Sequence, residues 1–313
     1  MKTLAMFPGQ GSQYPGMATE LLKEFPYVAA TFEEASDAIH CDLKKLCNDS
    51  DDATLKLTAN TQPAILTVSV ATFLILREEV GLAPTAFAGH SLGEYSALVC
   101  SNKLQIADAV VLVRKRGEAM QRAVPEGVGA MAAIMQVPAD ELKALCDDCS
   151  HEQSRVEIAN YNSPVQIVVA GHKKAVVELC RRVKAVGKRA VTLPVSAPFH
   201  SGLMAPAKEE MRPLLLGAKI RSESAENVYA NLTGNIEQHQ AVHLIDQIDH
   251  PVLWTQTIVH SSEKMAIERQ VEVGPGSVLC GLSRRILERG RAQLISTDGG
   301  KLRESLDTLK SSV

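Results

Sequence analysis

A serine held between two glycines is the first feature of this sequence that could carry out a reaction. The segment GHSLG, residues 89–93, follows the short apolar run 85–88 and precedes an apparent helix over 92–100. A G-x-S-x-G pattern at a strand-to-helix turn is typical of a nucleophile elbow. The alternative is a glycine-flanked helix start in which Ser91 acts only as a cap. A serine hydroxyl is barely ionised near neutral pH, so a nucleophilic Ser91 needs an adjacent base.

The best candidate for that base among the nine histidines is His200. It lies in PVSAPFHSGLM, residues 194–204, where two prolines and several small residues stiffen the chain. Such a loop can hold an imidazole in one orientation, as a general base requires. A polar residue at a helix start is a comparable interpretation of His200. His239 and His243 lack the glutamate of a zinc-protease helix, and we interpret them as a solvated helix face.

Other glycine and cysteine patterns do not indicate a cofactor or a metal. FPGQGSQ has Tyr14 in the place of the third glycine of a dinucleotide fingerprint, and VGPGSVL has Leu279 there. Cys146-x-x-Cys149 lies on a predicted helix without a second cysteine pair, so neither zinc nor redox chemistry is indicated. We expect no metal site and no permanently bound cofactor.

Composition and charge exclude further classes of function. The chain has 313 residues and a net charge of -3. It therefore lacks the overall positive charge that is typical of proteins that bind nucleic acid or an anionic membrane. Its beginning reaches proline and glycine too early for a signal peptide, and we find no apolar run long enough to span a bilayer. The seven scattered cysteines fit reduced thiols. We therefore expect a cytoplasmic protein without nucleic-acid or membrane partners.

Hydrophobic periodicity predicts strands alternating with helices in the outer parts of the chain. The elements predicted before residue 125 are a strand at 3–7, a helix at 61–80 behind a Thr61 cap, a strand at 85–88, and helices at 92–100 and 106–124. Those predicted after residue 194 are a helix from 203, strands near 228 and at 271–273, a helix from 278 and a strand near 294. This alternation argues for a largely parallel sheet covered on both faces.

The middle of the chain has a different predicted order, β-α-β-β-α-β, which is the ferredoxin-like unit. Its elements are a strand at 130–135, a helix at 139–149, strands at 156–160 and 166–170, a helix at 173–184 and a strand at 188–193. We interpret it as a small subdomain inserted into a larger one. Residues 1–126 and 197–313 are predicted to form the large catalytic subdomain, and residues 127–196 the small one.

Six segments together resemble the malonyl-CoA:acyl carrier protein transacylases of bacterial fatty-acid synthesis. They occur in the order and spacing of that family from the first strand to about Arg285: FPGQGSQ, GHSLGEYSALV, RGEAMQ, NYNSPVQIVVAG, PVSAPFHSGLM and VEVGPGSVL. The resemblance implies an α/β-hydrolase-like large subdomain with a ferredoxin-like insertion. This agrees with the order of elements predicted from periodicity.

The resemblance also implies catalytic roles. Ser91 would be the nucleophile and His200 its base, with no third carboxylate. The main-chain carbonyl of Leu253, in the segment HPVLW, would orient the imidazole. The main-chain N–H groups of Gln10 and Leu92 would form the oxyanion hole, which explains a glycine-rich loop that must approach the substrate closely.

Two more residues would select the acyl group. Arg116, usually a solvated charge on such a helix, would here pair with the free carboxylate of malonyl, because a planar guanidinium fork suits a carboxylate. Acetyl would leave that guanidinium unpaired. Phe199 resembles the bulky residue of malonyl-selective acyltransferases, whereas methylmalonyl-selective ones tend to have a small residue there. The implied substrate is malonyl-CoA.

The implied reaction is a ping-pong transfer of malonyl from coenzyme A to acyl carrier protein, by a protein that we expect to be a monomer. The acidic carrier should dock on basic residues near the cleft, for which the candidates are Lys188, Arg189, Arg284 and Arg285.

Two other functions compete with this transfer. A serine esterase or thioesterase would use the same elbow, with its triad in the chain order Ser, Asp, His. Asp249 and His260 have that order, but nothing around them resembles a catalytic loop. A non-catalytic carrier-binding module is less plausible, because Ser91, His200, Arg116 and Gln10 are all retained.

Overall fold

The computed structural model describes residues 1–195, 197–223, 225–238 and 241–311. Ser196 at the predicted domain boundary and the discounted His239 lie outside them. Up to residue 122 the elements are β1 (Thr3–Phe7), α1 (Thr19–Glu24), α2 (Ala29–Ile39), α3 (Leu43–Asn48), α4 (Asp52–Lys56), α5 (Thr58–Val80), β2 (Ala86–Gly89), α6 (Gly93–Cys100) and α7 (Ile106–Arg122).

The remaining elements fall into two groups. The first comprises β3 (Gly129–Met135), α8 (Ala139–Cys149), β4 (Val156–Ser163), β5 (Gln166–His172), α9 (Lys173–Ala185) and β6 (Arg189–Thr192). The second comprises α10 (Ala205–Leu216), α11 (Ala241–Gln247), α12 (Trp254–Glu263), β7 (Arg269–Glu272), α13 (Val278–Ile286), β8 (Gln293–Ser296) and α14 (Leu302–Lys310).

The large sheet is parallel, in the strand order β2-β1-β7-β8. Leu4 of β1 lies opposite Ala86 on one side and Gln270 on the other. All five residues of β1 are buried, as expected for a strand covered by helices on both faces. The predicted parallel α/β sheet is confirmed, and β2 ends at the edge where the serine segment begins.

Helix α5 corrects one expectation from the sequence. It is the one helix among the described residues that is long and apolar enough to cross a membrane by length and composition. However, 78% of its apolar window is buried inside the protein. Phe73 of α5 packs edge-to-face on Phe7 and Phe87, with ring centroids 6.2 and 5.8 Å apart. These contacts are those of a central core helix.

The start of α5 also differs from the prediction of a Thr61 cap. The carbonyl of Leu57 already accepts hydrogen bonds from the N–H groups of Asn60 and Thr61, so the helix begins at Thr58. The Thr61 hydroxyl instead donates to the carbonyl of Leu55 at 2.6 Å. A single residue therefore separates α4 from α5, and Thr61 lies inside the helix.

The small sheet is antiparallel, in the order β4-β5-β3-β6, which is the ferredoxin-like arrangement predicted from the sequence. One face packs on α8 and α9 through residues such as Ile134, Leu142 and Leu179. The other face carries Met131, Ala133 and Val168, which line a cavity shared with the large sheet. The exact limits 127–196 stay a prediction.

The predicted strand near residue 228 is wrong. Val228 makes one isolated parallel bridge with Phe87 at the edge of β2. The chain then leaves the sheet, because Asn231 bonds instead to Glu94 and to the serine turn. The short helices α1 to α4 were not assigned individually from the sequence.

Candidate active site

The serine turn is a strained and tightly packed elbow. Ser91 has φ of +53°, in the left-handed region that L-residues with a side chain rarely adopt. A Cβ atom added at Gly89 would lie 1.9 Å from the main chain of Gly93, and one added at Gly93 would lie 2.0 Å from the carbonyl oxygen of Phe7. Only glycine fits either position, so β2 and α6 can cross closely and project Ser91 from the turn.

His200 lies within hydrogen-bond distance of the serine. Its Nε2 is 2.7 Å from Ser91 Oγ, and its Nδ1 is 2.8 Å from the main-chain carbonyl of Gln247. A carbonyl can only accept, so Nδ1 carries the hydrogen and Nε2 is free to accept the proton of Ser91. His200 is 4% exposed, and burial together with the charge of Arg116 lowers its pKa to about 3. The imidazole is therefore neutral at physiological pH, as a general base must be.

The prediction that the Leu253 carbonyl orients this imidazole is wrong. Leu253 precedes α12, and its carbonyl accepts hydrogen bonds from the N–H and the hydroxyl of Thr257. Gln247 at the end of α11 occupies the orienting position instead. The sequence indicated a main-chain carbonyl in this stretch, but it could not show which one faces His200.

Arg116 lies beside the serine and is buried, with 1% of its surface exposed. Its Nη2 donates to Ser91 Oγ at 3.1 Å and to Gln247 Oε1 at 2.9 Å, and its Nη1 donates to Gln62 Oε1 at 3.0 Å. Its Nε has no hydrogen-bond partner within the described chain. These hydrogen-bond acceptors are all uncharged, and burial lowers the pKa of Arg116 while the Tyr95 and Glu94 charges oppose that shift. Such a guanidinium can accommodate an anionic group of a ligand.

The loop 8–12 packs against the serine turn and brings the main-chain N–H of Gln10 to the cavity that Ser91 and Leu92 also line. A Cβ atom added at Gly9 would lie 2.5 Å from the carbonyl oxygen of His90, so the loop touches the elbow. Within the described residues, the N–H groups of Gln10 and Leu92 donate to no protein acceptor. Both residues line the same cavity as Ser91. Two unused N–H groups in the same cavity as the nucleophile are what an oxyanion hole requires.

A cavity of about 280 Å³ contains these groups. The predicted site residues that line it are Gln10, Ser91, Leu92, Arg116, Phe199 and His200, and Leu253 is not among them. The face of the small sheet closes the cavity on one side, and the beginning of α13 closes it on another. The sheet side adds Asn160, Asn162 and Gln166, and the Oδ1 of Asn162 is 2.8 Å from the Nε2 of His90.

Four polar residues behind the serine were not found by sequence reasoning: Gln62, Glu94, Asn231 and Gln247. All four are buried, and they bond to Ser91, Arg116 or one another. Glu94 offered one signal, because it lies one turn after Ser91 in a helix whose following residues are mostly apolar. The glutamines and Asn231 offered none, because they come from separate parts of the chain.

The basic candidates for carrier docking lie at two separate elements, β6 and α13. Lys188 and Arg189 are exposed at the start of β6, and Arg284 and Arg285 are exposed in the last turn of α13. In the described part of the chain none of them forms an ion pair. The described residues also contain no group of three His, Cys, Asp or Glu side chains that could hold a metal ion.

Comparison with known proteins identifies the family. An acyl transferase domain model matches residues 6–302. The malonyl CoA-acyl carrier protein transacylase of Escherichia coli K12 is 42% identical over 287 residues, covering 90% of this chain and 92% of that protein. The enzyme of the same name from Bacillus subtilis 168 is 40% identical over 313 residues, covering 99% of this chain and 98% of that protein.

Solved structures give the same result. FabD from Acinetobacter baumannii superposes with a TM-score of 0.94 at 40% identity, covering 100% of this chain and 99% of that one. A malonyl-transacylase in complex with a type II PKS acyl-carrier protein superposes with a TM-score of 0.94 at 38% identity, covering 100% of both chains. This chain therefore belongs to the acyl transferase family and, within it, to the malonyl CoA-acyl carrier protein transacylases.

Proposed function

We propose that this protein transfers a malonyl group from coenzyme A to the phosphopantetheine thiol of acyl carrier protein, and so supplies fatty-acid elongation. The observation that carries the proposal is the buried guanidinium of Arg116, 3.1 Å from Ser91 Oγ. A serine nucleophile alone would suit any acyl group. A buried cation beside it suits an acyl group that has a free carboxylate at its other end, as malonyl does.

The first half of the reaction forms a malonyl-serine ester. Ser91 Oγ attacks the thioester carbonyl while its proton moves to His200 Nε2, 2.7 Å away. The carbonyl of Gln247 holds Nδ1–H and thereby keeps the imidazole in the productive tautomer. The tetrahedral intermediate then collapses, its bond to sulfur breaks, and the coenzyme A thiolate leaves with the proton from His200. Ser91 remains as the ester.

The second half reverses these steps with a different thiol. The phosphopantetheine thiol gives its proton to His200 and attacks the ester carbonyl, and Ser91 leaves with the same proton. Neither half needs another reactant. The substrate and the product are both thioesters, so the overall transfer is reversible. One solved relative is a malonyl-transacylase in complex with an acyl-carrier protein, which supports such a carrier as the acceptor here.

The N–H groups of Gln10 and Leu92 are assigned to the oxyanion that develops in both halves. Their lack of another acceptor in the described chain supports this assignment. A donor held ready for developing charge is worth about 10²- to 10³-fold in rate, because it costs no reorganisation when the charge forms. Phe199 lines the same cavity. We propose that its large side chain leaves no room for the additional methyl group of methylmalonyl.

The carrier is expected to dock on Lys188, Arg189, Arg284 and Arg285. Their exposure and their lack of ion pairs among the described residues support the assignment, because an acidic partner meets no competing carboxylate there. Arg285→Glu should raise the KM for the carrier and leave malonyl-enzyme formation unchanged. Arg212→Glu on α10 is the control, since Arg212 already pairs with Glu209. An unchanged KM would remove Arg285 from the docking surface. We further propose that the protein acts as a cytoplasmic monomer.

A hydrolase that releases the acyl group to water has less support. Its orienting carboxylate and its base would be Asp249 and His260, but Asp249 pairs with Lys208 and is hydrogen-bonded to His250. His260 is hydrogen-bonded to the hydroxyl of Tyr229 at 3.0 Å.

Intact-protein mass spectrometry tests the transfer directly. The protein is mixed with malonyl-CoA alone, and phosphopantetheinylated acyl carrier protein is then added. One malonyl unit should appear on Ser91 and then move to the carrier. Ser91→Ala should remain unlabelled. Ser96→Ala removes a buried hydroxyl from α6, one with no hydrogen-bond partner among the described residues, and should label normally. Accumulation of free malonate with an unloaded carrier would contradict the proposal and favour the hydrolase.

A further inference from the structure

Glu94 is a buried carboxylate to which the proposed reaction gives no role. It lies in the first turn of α6, and only 1% of its surface is exposed. A carboxylate is rarely buried so completely unless other groups satisfy it. Its hydrogen-bond partners therefore indicate its task.

One oxygen of Glu94 accepts two hydrogen bonds from groups that contact the elbow. Its Oε2 accepts from the main-chain N–H of Asn231 at 3.0 Å and from Gln247 Nε2 at 2.8 Å. The side chain of Asn231 in turn accepts from the N–H of Ser91 and donates to the carbonyl of Gly89, both at 2.6 Å. Glu94 therefore supports the turn that carries the serine.

Gln247 connects Glu94 with the other two reacting side chains. Its Nε2 also donates to the Ser91 carbonyl at 3.0 Å, and its Oε1 accepts from Arg116 Nη2 at 2.9 Å. Its main-chain carbonyl is the group that contacts His200 Nδ1. The position of this one residue thus affects both the base and the guanidinium.

The direction of these hydrogen bonds depends on Glu94. Glu94 Oε2 accepts from the main-chain N–H of Asn231, which can only donate, and the amide nitrogen of Gln247 faces the same oxygen. The amide oxygen then faces Arg116 and accepts from its Nη2. We infer that Glu94 is a positioning residue, which fixes the Gln247 amide and through it aims Arg116 at the acyl carboxylate. The inference rests on the proposed malonyl transfer, because its effect is greatest on an acyl group with a carboxylate.

The test compares acyl-enzyme formation from malonyl-CoA and from acetyl-CoA in Glu94→Ala and Glu94→Gln. Acetyl has no carboxylate for Arg116 to bind. The rate of acetyl-enzyme formation therefore depends on the elbow and the base, and not on a contact between Arg116 and the acyl group. In Glu94→Ala, the malonyl-to-acetyl ratio of kcat/KM should fall by about three- to tenfold, the worth of one lost hydrogen bond. Glu94→Gln keeps a neutral acceptor and should show a smaller fall in the same direction.

A matched control separates this effect from loss of charge or of stability. Glu118→Gln makes the same chemical change on α7, where Glu118 pairs with Arg114 and Lys115 away from the cavity. It should leave the ratio unchanged. A purely structural role for Glu94 would lower the melting temperature and both rates equally, and an equal loss would overturn the inference. A higher ratio would also overturn it, because Glu94 would then act as an anion that competes with malonyl.

The test remains decisive if Glu94→Ala does not fold, because an unchanged ratio in Glu94→Gln is enough to refute the inference. Its failure can also be distinguished from failure of the proposed function. Acyl-enzyme formation needs no carrier protein, so the ratio can be measured even if the wild type releases free malonate. That release is seen in the wild type, whereas failure of the inference is seen only in the variants.

Discussion

Replacing Arg116 by lysine tests whether the shape of its charge, and not only the charge, selects malonyl. The guanidinium uses Nη1 for Gln62 and Nη2 for Gln247 and Ser91. A lysine has one nitrogen in place of these two, so it cannot hold the amide oxygens and still present two parallel donors to a carboxylate. A hydrogen bond to a charged group contributes about 1.5 to 3 kcal/mol. At about 1.36 kcal/mol per factor of ten, Arg116→Lys should lower kcat/KM for malonyl-CoA about 10- to 150-fold.

The assay is rapid-quench mass spectrometry of acyl-enzyme formation with malonyl-CoA and with acetyl-CoA. Acetyl has no carboxylate to lose, so its rate should fall less than that of malonyl, by at most about three- to tenfold, the worth of one neutral hydrogen bond. Arg114→Lys is the matched control, because Arg114 is on the same helix and bonds to Glu118 and Asn60 instead of the site. Equal losses with both thioesters would refute the reasoning, since Arg116 would then support the serine and not the acyl carboxylate.

Three further predictions concern the elbow, the base and the cavity. Gly89→Ala places a Cβ atom 1.9 Å from the main chain of α6 and should lower the free energy of unfolding by about 3 kcal/mol or more, measured by urea denaturation. Gly281→Ala, whose added atom has no described neighbour within 4 Å, should be neutral or slightly stabilising. Burial lowers the pKa of His200 from 6.5 to about 3 in the folded protein. As pH falls from 6.5 towards 3, the unfolded chain therefore binds a proton at this residue before the folded protein does, and the free energy of unfolding decreases. His200→Gln should therefore lose less stability than the wild type between about pH 7 and about pH 5, and an equal loss would contradict the buried neutral imidazole. Phe199→Ala should raise kcat/KM for methylmalonyl-CoA relative to malonyl-CoA in the labelling assay, and an unchanged ratio would show that Phe199 does not limit the acyl group.

Secondary structure was predicted best where burial imposed a clear period. The elements of the small subdomain were placed to within a few residues, because its helices have one apolar face and its central strands β3 and β5 are nearly continuous apolar runs. The strand near Val228 was mistaken because an apolar pair there satisfies the pattern while the chain makes only one bridge with β2. The start of α5 was misplaced because its first hydrogen bonds go to the main-chain carbonyl of Leu57. Every residue type has such a carbonyl, so the amino-acid sequence does not indicate this start.

The site was predictable to the extent that its residues belong to local motifs. Ser91 and His200 were identified from the segments around them, whereas Arg116, Gln10 and Leu92 required the family resemblance. Leu253 was named because the family resemblance pointed to the segment HPVLW, whereas the carbonyl that faces His200 belongs to Gln247, six residues earlier. The direction of a carbonyl depends on where α11 ends relative to the loop that carries His200, and six residues of sequence do not determine it.

The sequence by itself determined the elbow, because the geometry of the turn requires glycine at 89 and 93 and these residues adjoin Ser91 in the chain. It also determined the order of the two subdomains through local hydrophobic periods. Only the tertiary structure decided which carbonyl orients His200, and that Arg116, Gln62 and Gln247 meet behind the serine. The physical reason is that these contacts join residues 47 to 131 positions apart, so they depend on how the helices pack and not on any local pattern.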